Sequence, residues 1–183
     1  MTSLEELKSA KHKLIGPRVY LRALDIGDAT EDYSRWFADP MVTRFLGTKS
    51  ATVSELKQYI IKKNQKNDTI FLGIFLKKLD TKIGTIKLEY IDHIKGTADI
   101  AIMLGDRSHA GKGLGGEAMQ TLIDYAFSDL NLSEITLGVV AQNTVAVRAY
   151  KKLGFKETKR MYQIVHYGTE TYDQVAMSLK RGD

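Results

Sequence analysis

The chain has no cysteine, and that absence closes several routes at once. A disulfide framework, a thiolate metal site and a cysteine nucleophile are all excluded, and a reducing compartment is permitted. Long hydrophobic runs are missing too. The longest, Ile70 to Leu76, stops at Lys77 and Lys78, far short of the roughly 20 residues that span a bilayer. No signal-peptide core opens the chain, because Leu4, Leu7 and Leu14 are separated by Glu5, Glu6, Lys8, Lys11 and Lys13. The expected setting is the cytoplasm, without membrane contact. Repeats and low-complexity segments are absent as well.

What is present suits a globular protein. With 183 residues, 43% of them hydrophobic and 27% charged, the chain fits one domain with a sizeable core. The expected division is a charged leader over residues 1–16, of open role, and a single domain over 17–183. The net charge of +5 is modest and compatible with nucleic acid, an anionic membrane or an anionic small molecule. Basic residues gather at Arg148, Lys151, Lys152, Lys156, Lys159 and Arg160. No aromatic interleaving or nucleic-acid motif accompanies them, so a solvated face is the better reading and nucleic acid is not an expected partner.

The most informative stretch runs from Met103 to Gly116. Before it, Ala98, Ile100, Ile102 and Leu104 alternate with Asp99, Ala101 and Met103, the period-2 mark of a half-buried strand. After it, Leu114, Ala118, Leu122, Ala126 and Leu130 recur at helical spacing. Between them Gly111, Gly113, Gly115 and Gly116 leave backbone N–H groups free to converge at a helix N-terminus, which suits a phosphate or pyrophosphate. Gly111, Gly113 and Gly116 also fit the dinucleotide fingerprint, but no acidic residue ends the next strand, which runs into Ala141 and Gln142. A P-loop fails because Gly113 stands where a serine or threonine must hold magnesium. A plain surface turn before a core helix is the bland alternative.

In chain order, Arg18 to Leu24 reads as the first strand. Asp28, followed by Glu31, resembles an N-cap opening a short helix with Tyr33, Trp36 and Phe37, which Pro40 ends. Thr52 and Glu55 form a capping box for a second helix reaching Lys63. Three strands follow, Thr69 to Leu76, Lys82 to Ile91 and Thr97 to Leu104, with connections short enough for antiparallel hairpins. The helix Gly113 to Asp129 leads to a strand, Glu134 to Val140, by a crossover expected to be parallel. Asn143 caps a last helix whose inner face carries Val145, Ala149, Tyr150 and Leu153, and Gly154 suits its C-terminal end. Two tail strands, Phe155 to His166 and Thr171 to Lys180, turn at Tyr167 and Gly168. The expected fold is α/β (α+β): a single mixed, mostly antiparallel sheet of about seven strands with four helices.

This order of elements, the glycine loop after the fourth strand and the segment Asn143 to Phe155 (NTVAVRAYKKLGF) together resemble the GCN5-related N-acetyltransferases, the GNAT superfamily, from Arg18 to about Lys180. Ala38 to Leu46 (ADPMVTRFL) resembles the RimJ/RimL-type branch. The resemblance implies an acyl-CoA N-acyltransferase fold and acetyl-CoA as cosubstrate, with no metal. The family loop Arg/Gln-x-x-Gly-x-Gly/Ala maps onto Ala110, Gly111, Lys112, Gly113, Leu114 and Gly115, with Ala110 breaking the pattern. Since backbone N–H groups hold the pyrophosphate, that loss matters little, and Arg107 or Lys112 offers charge nearby. By the same resemblance Ile102, Met103 and Leu104 hold the pantetheine arm as an added strand, Asn143 touches it, and Gly116 and Lys152 complete the cofactor set.

Acyl transfer to an amine needs a neutral amine, an N–H donor for the oxyanion and a proton for the leaving thiolate. The resemblance gives the acid role to Tyr150, whose phenol is also a candidate CoA contact, and the oxyanion donor to the backbone near Met103 or Leu104. Glu89, ahead of Asp99, is the candidate base, though either carboxylate equally suits a solvated or cross-strand role beside Lys87. His93 and His166 are weaker candidates. Trp36, Phe37 and Tyr90 are candidate walls of the acceptor pocket, with core packing the commoner use of such residues. The implied partners are acetyl-CoA and a primary amine, either a protein N-terminus or an amino sugar or other small molecule, on a monomer or homodimer. The alternative function is a non-catalytic acyl-CoA-binding or nucleic-acid-binding module using the basic cluster.

Overall fold

The computed structural model describes residues 4–9 and 12–182. The elements run in the order α1 (Leu4–Leu7), β1 (Lys13–Ile15), β2 (Val19–Ala23), α2 (Glu31–Ala38), α3 (Pro40–Thr43), α4 (Val53–Asn64), β3 (Ile70–Leu76), β4 (Lys82–Asp92), β5 (Thr97–Leu104), α5 (Leu114–Ser128), β6 (Glu134–Val140), α6 (Thr144–Lys152), β7 (Lys156–Tyr167) and β8 (Glu170–Lys180). One eight-stranded sheet has the spatial order β1-β2-β3-β4-β5-β6-β8-β7. Every pairing is antiparallel except β5 with β6, which α5 joins by a crossover. Two hydrophobic layers sandwich the central strands. On one side α5 seats Leu114, Ala118, Leu122 and Ala126 against Leu72, Ile86 and Ile100. On the other, α2 and α4 seat Tyr33, Phe37, Leu56 and Ile60 against Tyr20, Phe71 and Phe75. That double cover explains why every residue of β3 is buried.

The sheet has one strand more than the expected seven, and the extra strand lies in the stretch read as a leader. Lys13 to Ile15 pair with Tyr20 to Arg22, and Leu7 is fully buried in the α5-side layer. Two apolar residues amid lysines gave no periodicity from which to read a three-residue strand. Residues 1–3, 10 and 11 of that leader lie outside the described residues. The additional helices are the single turns α1 and α3, and α3 also corrects the reading of Pro40: helix α2 ends at Ala38, and Pro40 opens the next turn at its first position, where a missing N–H costs nothing. The α2 cap shifts too. Thr30 caps it, bonding the Tyr33 N–H at 3.3 Å, while Asp28 turns to a bidentate pair with Arg22 at 2.8 Å. The Thr52 and Glu55 capping box forms in both directions, as expected.

Candidate active site

Strands β5 and β6 start together and then part. They pair only over Thr97–Asp99 and Glu134–Thr136, although β5 runs on to Leu104 and β6 to Val140. Beyond the parting, Ala101 to Leu104 bond β4 on one side and leave their other backbone edge without a strand, a template for an extended ligand. At the parting point the Thr136 hydroxyl donates to the Asp99 carboxylate.

The glycine loop closes the end of this wedge. Gly111 and Gly113 have φ of 73° and 77°, left-handed values that side chains resist. A Cβ on Gly111 or Gly116 would meet nothing within 4 Å, so the loop stands open. At Gly115 a Cβ would lie 3.0 Å from Leu104 Cδ1, and its absence lets the first turn of α5 settle onto β5. No side chain caps α5; the first-turn N–H groups of Leu114, Gly115 and Gly116 remain available as donors. Ala110 and Lys112 flank them, with the Lys112 carbonyl accepting from Arg18 Nη1 at 3.0 Å. Glu117 locks the same turn to β2: its carboxylate accepts from the backbone N–H groups of Arg18 and Val19 and from Arg18 Nε at 2.8 Å. These contacts hold the Glu117 carboxyl below its ordinary pKa against the opposing pull of desolvation.

The other bank is α6, which contains no fully buried residue. Asn143 caps it, its Oδ1 accepting from the Ala146 N–H at 3.3 Å. Tyr150 packs against the core and Phe155, and burial pushes its phenol pKa up. Lys152 is exposed on the last turn. The basic residues from Arg148 to Arg160 spread over α6 and the sheet-edge strand β7, facing solvent; Arg160 pairs with Glu157 at 3.2 Å.

On the α2/α4 side a cavity of about 490 Å³ opens onto β4 and β5, walled by Tyr33, Phe37, Leu56, Tyr59, Phe71 and Met103, with Thr85, Lys87 and Ala101 on its strand floor. Of the three aromatics expected there, only Phe37 lines it. Trp36 faces a neighbouring cleft of about 370 Å³ with Lys82 and Asp106, and it lies flat against Gly105, where a Cβ would come within 2.0 Å of the indole. Tyr90 is 64% exposed, because the register shifts between Glu89 and Asp92 and its φ of 55° turns it outward. Periodicity alone could not show that bulge. Tyr59 and Met103, which the sequence did not single out for this cavity, also line it and carry only an ordinary core signature.

The two carboxylates separate in environment. Glu89 is clamped between Lys63 and Lys87 with its side chain 14% exposed, and these lysines hold its pKa down although burial opposes them. Asp99 is exposed and shares a strand face with Ala101 and Met103. Among the described residues no three His, Asp or Glu stand together as a metal site, and no helix is long and apolar enough to cross a membrane.

This geometry has known relatives. A family profile described as "Acetyltransferase (GNAT) domain" matches residues 18–156. The chain belongs to the GNAT acetyltransferases. Bacillus licheniformis N-acetyltransferase p20 is 35% identical over 147 residues, covering 76% of this chain and 80% of that protein. The probable N-acetyltransferase YjcK of Bacillus subtilis (strain 168) is 32% identical over 158 residues, covering 78% and 82%. In structure, spermidine N-acetyltransferase from Vibrio cholerae, solved in complex with CoA and spermine, superposes with a TM-score of 0.80 at 24% identity, covering 89% of this chain and 95% of that one. The protein is thus a GNAT N-acetyltransferase with acetyl-CoA as its cosubstrate, built on the mixed sheet of that fold.

Proposed function

We propose that the protein acetylates a primary amine by direct attack on acetyl-CoA, with the parted β5 and β6 edges as the cosubstrate site. The observation that carries this is the conjunction at one place of a free β5 backbone edge and an uncapped, glycine-lined helix N-terminus. Backbone groups of Ile102, Met103 and Leu104 hold the pantetheine arm, and Gly111 to Gly116 with Lys112 receive the pyrophosphate. Asn143, at the start of α6, and Lys152, exposed on its last turn, are the further cofactor contacts in this reading. A backbone N–H at Met103 or Leu104 polarises the reacting carbonyl.

Tyr150 supplies the thiolate's proton. Its raised pKa keeps the phenol protonated at neutral pH, which an acid needs. For the amine's proton we favour Asp99 over Glu89: the open Asp99 carboxylate has access to water, whereas Glu89 is already committed to two lysines. The acceptor enters from the α2/α4 side through the 490 Å³ cavity. Leu46, from the RimJ/RimL-like stretch, lines it, which favours that branch and leaves a protein N-terminus or a small-molecule amine as acceptor classes.

Calorimetry with acetyl-CoA tests the reading. Wild type is expected to bind at one site, and Gly113→Val to bind at least tenfold more weakly, because valine resists the left-handed φ and covers the donors. No binding to wild type would refute the proposal.

A further inference from the structure

The acceptor cavity has a charge arrangement that selects among amines. Its interior is apolar and ring-walled: Tyr33, Phe37, Tyr59 and Phe71 face it, with Tyr59 edge-on to Phe71 at 5.3 Å. Two lining residues bear ionisable side chains, Lys87 and Glu55. Glu55 sits at the exposed mouth, and its carboxylate is bound to the Thr52 backbone N–H and hydroxyl at 2.7 and 2.8 Å. Lys87 rises from the floor with its side chain 22% exposed and donates to the Tyr59 hydroxyl at 3.2 Å. Behind it, Lys63 and Lys87 share the single carboxylate of Glu89. Two cations to one anion leave a positive charge beside the strand floor of an apolar slot, where these side chains are largely buried and screening by water is weak.

A polycation is a poor fit beside Lys87, since a second ammonium there would meet a lysine whose one carboxylate, Glu89, is already shared with Lys63. An anion is a good fit. Distance along the floor sets the spacing. Thr85 pairs with Met103, the rung where the acetyl group is to be met, and Lys87 is two residues further along β4. A strand advances by about 3.4 Å per residue, so the Thr85 and Lys87 backbones lie about 7 Å apart, with the Lys87 side chain reaching from there to the Tyr59 hydroxyl. A six-membered ring with substituents at opposite ends spans such a gap.

Building on the N-acetyltransferase reading, we propose that the acceptor is a primary monoamine whose apolar ring separates the amine from a carboxylate, with the carboxylate against Lys87 and the ring between Phe37, Tyr59 and Phe71. In the transfer the new C–N bond forms as the acetyl C–S bond breaks. One proton leaves the amine and one joins the thiolate, so the products are the N-acetyl amine and the free thiol.

The test compares para-aminomethylbenzoate, benzylamine and spermidine as acceptors at saturating acetyl-CoA, with thiol release as the readout. The ring amine with the carboxylate is expected to exceed benzylamine in kcat/KM by about tenfold or more, the usual size of a charge-assisted hydrogen bond to a desolvated group, and to exceed spermidine by more. Lys87→Met is expected to bring the ratio of the first two substrates near one, while Lys87→Arg retains a preference. Spermidine as the best substrate, an unchanged ratio in Lys87→Met, or no turnover of any probe by protein that binds acetyl-CoA would overturn the pocket assignment. Failure to bind acetyl-CoA would instead overturn the underlying reading.

Discussion

Replacing Glu117 by glutamine isolates the device that holds the glycine loop in place. One carboxylate accepts two backbone N–H groups, of Arg18 and Val19, and pairs with Arg18 Nε. Glutamine keeps an oxygen for the backbone donors but lacks the charge, and turns an amide donor toward the guanidinium. Each backbone bond falls from charge-assisted to neutral strength, a loss of about 1 kcal/mol apiece. The Arg18 pair adds no more than about 0.5 kcal/mol, because its guanidinium is 55% exposed and screened. A total near 2 kcal/mol lowers the melting temperature of a domain this size by about 4–8 °C. The sign of the pH dependence follows from the depressed carboxyl pKa. Stability from ionised Glu117 is fully present above its unfolded value, about 4.3, and is lost as pH falls through the lower folded value. The wild-type advantage is therefore expected at pH 7 and to shrink below about pH 4. KM for acetyl-CoA is expected to rise with it, because the loop loses its tie to β2. Equal melting temperatures at pH 7, or a gap that persists undiminished at pH 3, would refute this account.

Three further outcomes follow from the site. Tyr150→Phe keeps the packing against Phe155 and is expected to lower kcat by about 10²–10⁴; steady-state rates across pH check it, and an unchanged profile rejects the acid role. Glu89→Gln leaves Lys63 and Lys87 facing each other, so denaturant unfolding is expected to show a loss of about 2–4 kcal/mol with kcat of the folded enzyme within a few-fold. A collapse of kcat in stable protein would return the base role to Glu89. Gly105→Ala pushes a methyl into the Trp36 indole and is expected to cost about 1–3 kcal/mol. The same change made in Trp36→Leu is expected to cost measurably less, which a double-mutant cycle reads directly.

Local signals carried much of the fold because they are enforced locally. The bounds of β6 were legible in the sequence, the α4 capping box from Thr52 and Glu55, and the parallel crossover from the strand–helix–strand order. At α6 the Asn143 cap and the positive φ of Gly154, 94°, match the expected ends, but Val145, read as inner face, is 71% exposed, and Ala146 and Val147 pack against the core beside Tyr150 and Leu153. Where a residue had two partners available, tertiary contact chose. Asp28 left the α2 cap for Arg22, and β1 formed by pairing rather than by propensity.

By itself the sequence determined an alternating sheet, a glycine-opened helix after its fourth predicted strand, and the family, because each depends on spacing between near neighbours. Only the tertiary structure decided what surrounds each candidate group. It parted β5 from β6 after three rungs, turned Tyr90 out through a bulge, set Trp36 against Gly105, and committed Glu89 to lysines from α4 and β4. Those outcomes join residues far apart in the chain, and a carboxylate's pKa or a ring's exposure is set by such neighbours, not by its place in the sequence.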